Sequence, residues 1–429
     1  MDQHLVPAAR PRSAVSPGVG YAGVAGLGLW AVVAHHHGLD GPYAALVALL
    51  AAAIPMLGWS LLVDRVHRNL TTGIDWSAPP RPWREALDTG LVKLAGLWTT
   101  WGLIGFAYAI GRWYWHPPGL FAMQVLATLL PIAGVLSIPY ILWIERRIVQ
   151  PRDGCWQFGR LLLGHELDAD GREAVWGHAR AWAVKGFFTA FMLGAMPGNW
   201  NQVMTIDPAK WWSDPVALGG GLVAVMFLVD VTIATVGYLA TFRPLDSHIR
   251  SANPYAAAWT AALICYPPFS MMNAGGPLDY SPGLGHYDHW LAGHPLLLAI
   301  DAFALIALTG IYAWATIAFG LRFSNLTHRG ILTHGPYAWS KHPAYLAKNL
   351  FWWCFALPFL TTGDWTDGVR NCTILALVNA VYWWRAKTEE RHLSADPVYV
   401  AYARWMAAHG PVTRMLARPA PPPTPVAAE

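Results

Sequence analysis

Long apolar runs separated by short polar connections make up most of this chain, and the runs have the length of helices rather than strands. "HPLLLAIDAFALIALTGIYAWATIAFG", from His294 to Gly320, holds a single charged residue, Asp301. A helix of about 20 predominantly apolar residues spans the hydrocarbon core of a bilayer. Inside lipid, a helix satisfies its own backbone donors and acceptors, which an open strand cannot do. The pattern therefore predicts an all-α fold, a polytopic transmembrane helical bundle of about ten spans. The expected spans are Gly20–His36, Pro42–Val63, Gly90–Ile110, Gly119–Ile144, Ala181–Met196, Pro215–Phe242, Tyr255–Met272, Pro295–Leu321, Tyr345–Thr361 and Cys372–Trp384. The seventh and tenth are short or broken by proline and read as partial or re-entrant segments.

The connections alternate in charge. "DRVHRNL", "ERRIVQPR", "FRPLDSHIR", "LRFSNLTHRG" and the stretch after Arg385 are rich in Arg and Lys, whereas "NQVMTIDPAKWWSDP" and "TTGDWTDG" are poor in them. Basic connections favour the cytoplasmic side, so the expected topology is multi-pass with both termini cytoplasmic. The mixed-charge stretch 150–180 is expected to form a surface helix or cap. The first span is expected to be retained, because no clear cleavage site follows it. Motif placement divides the chain into an N-terminal transmembrane block at 1–290, a C-terminal core at 291–415 and a disordered proline-rich tail at 416–429.

Composition agrees with this reading. Hydrophobic residues make up 55% and charged residues 13%, against about 25% charged in ordinary soluble domains. The 25 tryptophans suit a membrane–water interface. A net charge of +4, confined to particular connections, reads as orientation and not as a nucleic-acid surface. Cys155, Cys265, Cys354 and Cys372 have no metal-ligand spacing and are expected to be small buried apolar residues. The adjacent His35, His36 and His37 cannot share one helix face, so no metal site is expected there.

Two polar clusters carry the chemistry. In "GPYAWSKHPAYLAKNL", Gly335-Pro336-Tyr337 reads as a turn. Pro343 suits the first position of a helix, and His342 before it is pushed away from helical backbone. Tyr345 follows at a helix mouth whose free N–H groups favour an anion. In "YWWRAKTEERHL", Arg385 and Glu389 stand four apart on one helix face and can pair, while Glu390 is turned about 100° further. One hairpin separates the clusters, so both return to the same membrane surface. Carboxylates, cations, rings and helix N–H groups together can hold a zwitterion.

At these residues the chain resembles the integral membrane isoprenylcysteine carboxyl methyltransferases and the related phospholipid methyltransferases. "GILTHGPYAWSKHPAY" supplies Leu332, Gly335, Tyr337, His342, Pro343 and Tyr345 at the family spacing, and "RAKTEERHL" supplies Arg385, Glu389, Glu390 and Leu393. Tyr399 and Tyr402 resemble the paired tyrosines of that family, and Lys341 stands where Arg is usual. The resemblance covers the C-terminal quarter of the chain. It implies S-adenosylmethionine as methyl donor, bound on the cytoplasmic side by Leu332, Gly335, Tyr337, His342, Pro343, Tyr345 and Glu389. It implies catalytic roles for Arg385 and Glu390, and a lipid-like or prenylated acceptor arriving from membrane lipid. Glu390 is expected to hold Arg385 or the donor ammonium, and the backbone near Leu332 to meet the adenine.

Two rival readings have their own residues. A membrane reductase of the sterol-reductase type would place a nicotinamide cofactor in the same pocket, though adjacent Glu389 and Glu390 ill suit a 2′-phosphate. A transporter would use Asp230 in mid-span together with the broken segment "SANPYAAAWTAALICYPPFSMMNAGG". That segment, with Asn253 and Tyr266, is also the expected acceptor contact outside the C-terminal block.

Overall fold

A computed structural model of the chain describes residues 9–117, 119–280 and 285–416. Residues 417–429 of the expected tail lie outside the described residues. The helices, in chain order, are α1 (Pro17–His36), α2 (Pro42–Gly58), α3 (Trp83–Gly111), α4 (Gly119–Glu145), α5 (Gly154–Leu162), α6 (Ala169–Met204) and α7 (Pro215–Leu239). They continue with α8 (Ala256–Leu263), α9 (Tyr287–Trp290), α10 (Pro295–Phe319), α11 (Pro343–Ala356), α12 (Trp365–Leu393), α13 (Pro397–His409) and α14 (Pro411–Leu416). Two short strands, β1 (Ser251–Ala252) and β2 (Thr327–His328), pair antiparallel. The fold is an all-α bundle with this one ribbon among its described residues.

Six helices are long and apolar enough to cross a membrane: α1, α2 with its continuation to Val63, α3, α4, α7 and α10 with its continuation to Arg322. Their outer faces carry exposed Leu29, Ile54, Phe106, Val135 and Phe303. Such an apolar surface belongs against lipid and makes this a membrane protein. The other four expected spans differ from the sequence reading. α8 stops after 8 residues, and α11 after 14, which is about 21 Å of rise and short of the roughly 30 Å hydrocarbon core. α6 and α12 are long enough, at 36 and 29 residues, but carry more polar residues than a simple span. α6 begins inside the expected surface loop because Asp168 caps it, accepting from the Gly171 N–H, and no breaker intervenes before Pro197. α12 is one continuous helix, capped by Asp364 and longer at both ends than the expected tenth segment.

α7 is the hub, packed by α10, α6 and α2. Phe188 of α6 stacks on Tyr238 of α7 at 5.4 Å between centroids. The C-terminal ends of α7 and α10 converge on two buried arginines. Arg329 donates to the carbonyls of Ser247 (2.6 Å), Gly237 (2.9 Å), Phe323 (2.6 Å) and Leu321 (2.8 Å). Arg322 donates to the Arg329 carbonyl (2.7 Å) and to Asp246 (2.8 Å). Helix C-termini present unpaired carbonyls and negative potential, which a cation offsets. Gly330 has φ 112°, and a Cβ there would lie 2.2 Å from Arg322 Nη1, so the loop carrying this cluster requires glycine. Two arginines of the basic connection 321–330 are thus internal braces.

A second buried pair joins α3 to α4: Lys93 Nζ is 2.5 Å from Glu145 and 3.0 Å from Asp153. Asp230, in the middle of α7, accepts from Tyr312 (2.9 Å) and from Thr316, both on α10. Its carboxylate is thus hydrogen-bonded to a neighbouring helix. All four cysteines are free and only partly buried, rather than fully buried as expected.

Candidate functional site

The two polar clusters meet where α11 begins and α12 ends. His342 precedes α11 with φ −133° and ψ 58°, off the helical region as the following proline requires. No side chain caps the mouth of α11. His342 Nε2 lies 3.0 Å from Glu390 Oε1, so the ring hydrogen sits on that nitrogen and donates to the carboxylate. Lys341 Nζ is 2.7 Å from the same oxygen, and Lys387 Nζ is 2.9 Å from the other. Glu390 is therefore the centre of a knot of three cationic or donating groups.

Burial alone would raise the Glu390 carboxyl, but hydrogen bonds from His342, Lys341 and Lys387 outweigh it and hold the group well below the usual carboxylate range. Such a group adds stability above its unfolded value, about 4.3, and loses it as pH falls through the depressed folded value. The thermal midpoint in detergent should hold steady from neutral pH to about pH 5 and then fall, with Glu390→Gln flattening that acid limb. An unchanged acid limb in the variant would count against the knot.

Glu389, next in sequence, faces elsewhere. Tyr345 donates to it at 3.2 Å, and His342 Nδ1 is 3.9 Å away. Arg385 forms an ion pair with neither glutamate, which corrects two sequence expectations. The i, i+4 pair with Glu389 does not form, and Glu390 does not hold Arg385. The guanidinium turns into the bundle, where it donates to Asn325 Oδ1 at 3.1 Å. It lies 5.2 Å from the Tyr345 ring centre and 5.5 Å from those of Tyr266 and Tyr382. The negative ring faces and the amide oxygen outcompete a half-exposed carboxylate. Asn325 is itself held by its Nδ2 donating to Tyr238 at 3.0 Å.

A small cleft opens beside these groups, lined by Tyr345, Arg385 and Glu389 and by Asn253, Asn325 and His392 among others. Its volume is about 20 Å³, room for about one water. The ribbon β1–β2 closes it. Asn253 Nδ2 donates to the Thr388 carbonyl (3.2 Å), Ser251 Oγ bonds His392 Nε2 (2.9 Å), and His328 Nε2 meets Asp396 (3.0 Å).

Of the site residues expected from the two polar motifs, Tyr345, Arg385 and Glu389 line the cleft. His342 and Glu390 brace it from one side. Leu332, Gly335, Tyr337 and Pro343 do not line it. Leu332 and Tyr337 belong to the main apolar core. The neighbours of Leu332 are already bonded: the Ile331 carbonyl accepts from Ala14 (2.9 Å) and Thr333 Oγ1 donates to the Pro11 carbonyl (2.7 Å). Gly335, at φ 60°, opens the turn 335–338, and Tyr402 donates to the Tyr337 carbonyl at 2.8 Å. Tyr402 therefore pins α13 under that turn, and Tyr399 is buried beside it.

The broken segment reaches the cleft: Asn253 lines it, and the Tyr266 ring lies 5.5 Å from Arg385. Sequence reasoning missed Asn325, Thr327, Thr388 and His392, which lie in a basic loop or on a helix end and carry no spacing signal. Among the described residues, no group of His, Cys, Asp or Glu is arranged to hold a metal ion. No family model, curated protein or solved structure matches this chain.

Proposed function

We propose that this protein is a multi-pass integral membrane methyltransferase that uses S-adenosylmethionine and modifies a lipid-like or prenylated acceptor. In this reading both termini and the site face the cytoplasm. The carrying observation is the convergence of two motifs 48 residues apart, with His342 3.0 Å from Glu390 and with Arg385, Glu389 and Tyr345 around one cleft. The polar groups fit a zwitterion: the uncapped mouth of α11 for a carboxylate, Glu389 for an ammonium, and Tyr345 for a flat base. A ligand pocket commonly encloses 300–1,000 Å³, so binding requires the ribbon β1–β2 or the end of α12 to move.

The donor, when bound, supplies an electrophilic methyl on a sulfonium. The work of this chain's own residues is orientation and exclusion of water. Fixing the reacting groups in line can lower the barrier by roughly 7–11 kcal/mol. Arg385 orients an acceptor carboxylate, which needs no base.

The test is incubation of purified protein with methyl-labelled donor and a total lipid extract, followed by identification of the labelled product. Parallel titrations with donor and NADPH address the reductase reading. Donor binding and a labelled amphiphile are expected. Binding of NADPH alone, or no labelled lipid and no donor binding, would overturn the proposal.

A further inference from the structure

We propose that Lys348 and Arg385 form an anion subsite, set below the membrane surface, for the carboxylate or phosphate head of an amphiphile. Lys348 lies one turn beyond Tyr345 on α11. Its Nζ is 5.4 Å from the Tyr382 ring centre and 5.8 Å from that of Tyr312. Arg385 is 5.5 Å from the same Tyr382 ring. Two cations thus share one aromatic wall. Among the described residues, no carboxylate lies within ion-pair distance of either, whereas Lys341 and Lys387 both pair with Glu390.

The nearest carboxylates are engaged. Asp230 holds the hydroxyls of Tyr312 and Thr316, and Glu389 holds Tyr345. A snorkelling lysine would send its ammonium to water. This one rests instead on rings within the bundle, one of them bonded to mid-span Asp230. Arg385 is buried and Lys348 partly buried, and a cation held there without a direct counter-anion is costly, with ring faces offsetting only part of that cost. An anion entering between the two completes the set. Arg385 offers a planar fork and Lys348 a point charge, which together suit a head with at least two oxygens. The Arg385 arm of the subsite rests on the acceptor role proposed above, because Arg385 lines the cleft; Lys348 lies outside that lining, so its effect on charge-selective binding is read apart from the donor.

The experiment measures binding of oleic acid, oleyl phosphate and oleyl alcohol to the full-length protein in neutral detergent. The acid, the phosphate or both are expected to bind at least about ten-fold tighter than the alcohol, and their ranking separates a carboxylate head from a phosphate head. Lys348→Met should weaken the anionic probes by roughly thirty-fold, leave the alcohol unchanged and be rescued by Lys348→Arg. Thermal midpoints identify any variant that misfolds, and Lys348→Gln then takes its place. Equal binding of acid, phosphate and alcohol, or anionic binding unaffected by loss of the Lys348 charge, would overturn the subsite. Donor titration in the same preparations is read separately. Charge-selective binding without donor affinity removes the methyltransferase reading and leaves the subsite standing.

Discussion

Under the proposed function, Arg385→Met is expected to lower transfer of labelled methyl to lipid by about 100-fold or more, with little loss of stability. The magnitude follows from positioning, since a misplacement of about 1 Å in a reacting group can cost about a hundred-fold. The fold should survive, because methionine fills similar volume against Tyr266, Tyr345 and Tyr382. Only one direct hydrogen bond disappears, that to Asn325. Arg385→Lys keeps the charge and loses the fork, so it should recover part of the rate. Single-turnover assays with the thermal midpoint as control make the measurement. Full activity in Arg385→Met would remove the residue from the reaction.

Lys93→Met should produce the largest stability loss, about 3–5 kcal/mol, because it leaves Glu145 buried without its cation. The Lys93 and Glu145 side chains are 4% and 1% exposed, so water cannot substitute. Lys93→Met combined with Glu145→Leu removes both charges and should restore most of the loss. Unfolding in mixed micelles, followed by circular dichroism, compares the variants. Equal stability of wild type and the single variant would show that the pair contributes nothing net.

These two residues show where sequence reasoning reached and where it stopped. Arg385 was legible because it stands in a polar motif at the end of an apolar run. Its partner was not: the spacing favours Glu389, and the guanidinium chose Asn325 and three rings from distant segments. Lys93 sits inside an apolar run, and Glu145 ends another 52 residues away. Arg322 and Arg329 read in the sequence only as part of a basic connection, and the structure buries both against helix ends. Periodicity reports which face of a helix is apolar. It does not report which neighbour supplies a carbonyl or a carboxylate.

Runs of apolar residues longer than a bilayer is thick determined by themselves that this chain is helical and belongs in a membrane, since lipid leaves the backbone no other solution. Local chemistry likewise determined the proline-started mouth of α11 and the non-helical backbone of His342. Tertiary structure alone decided which carboxylate does what. Glu390 became a neutralised brace and Glu389 faced the cleft, although the two are adjacent. A rotation of about 100° between neighbouring helical residues sends them to different surroundings, and those surroundings come from α8, α11 and the ribbon, far away in the chain.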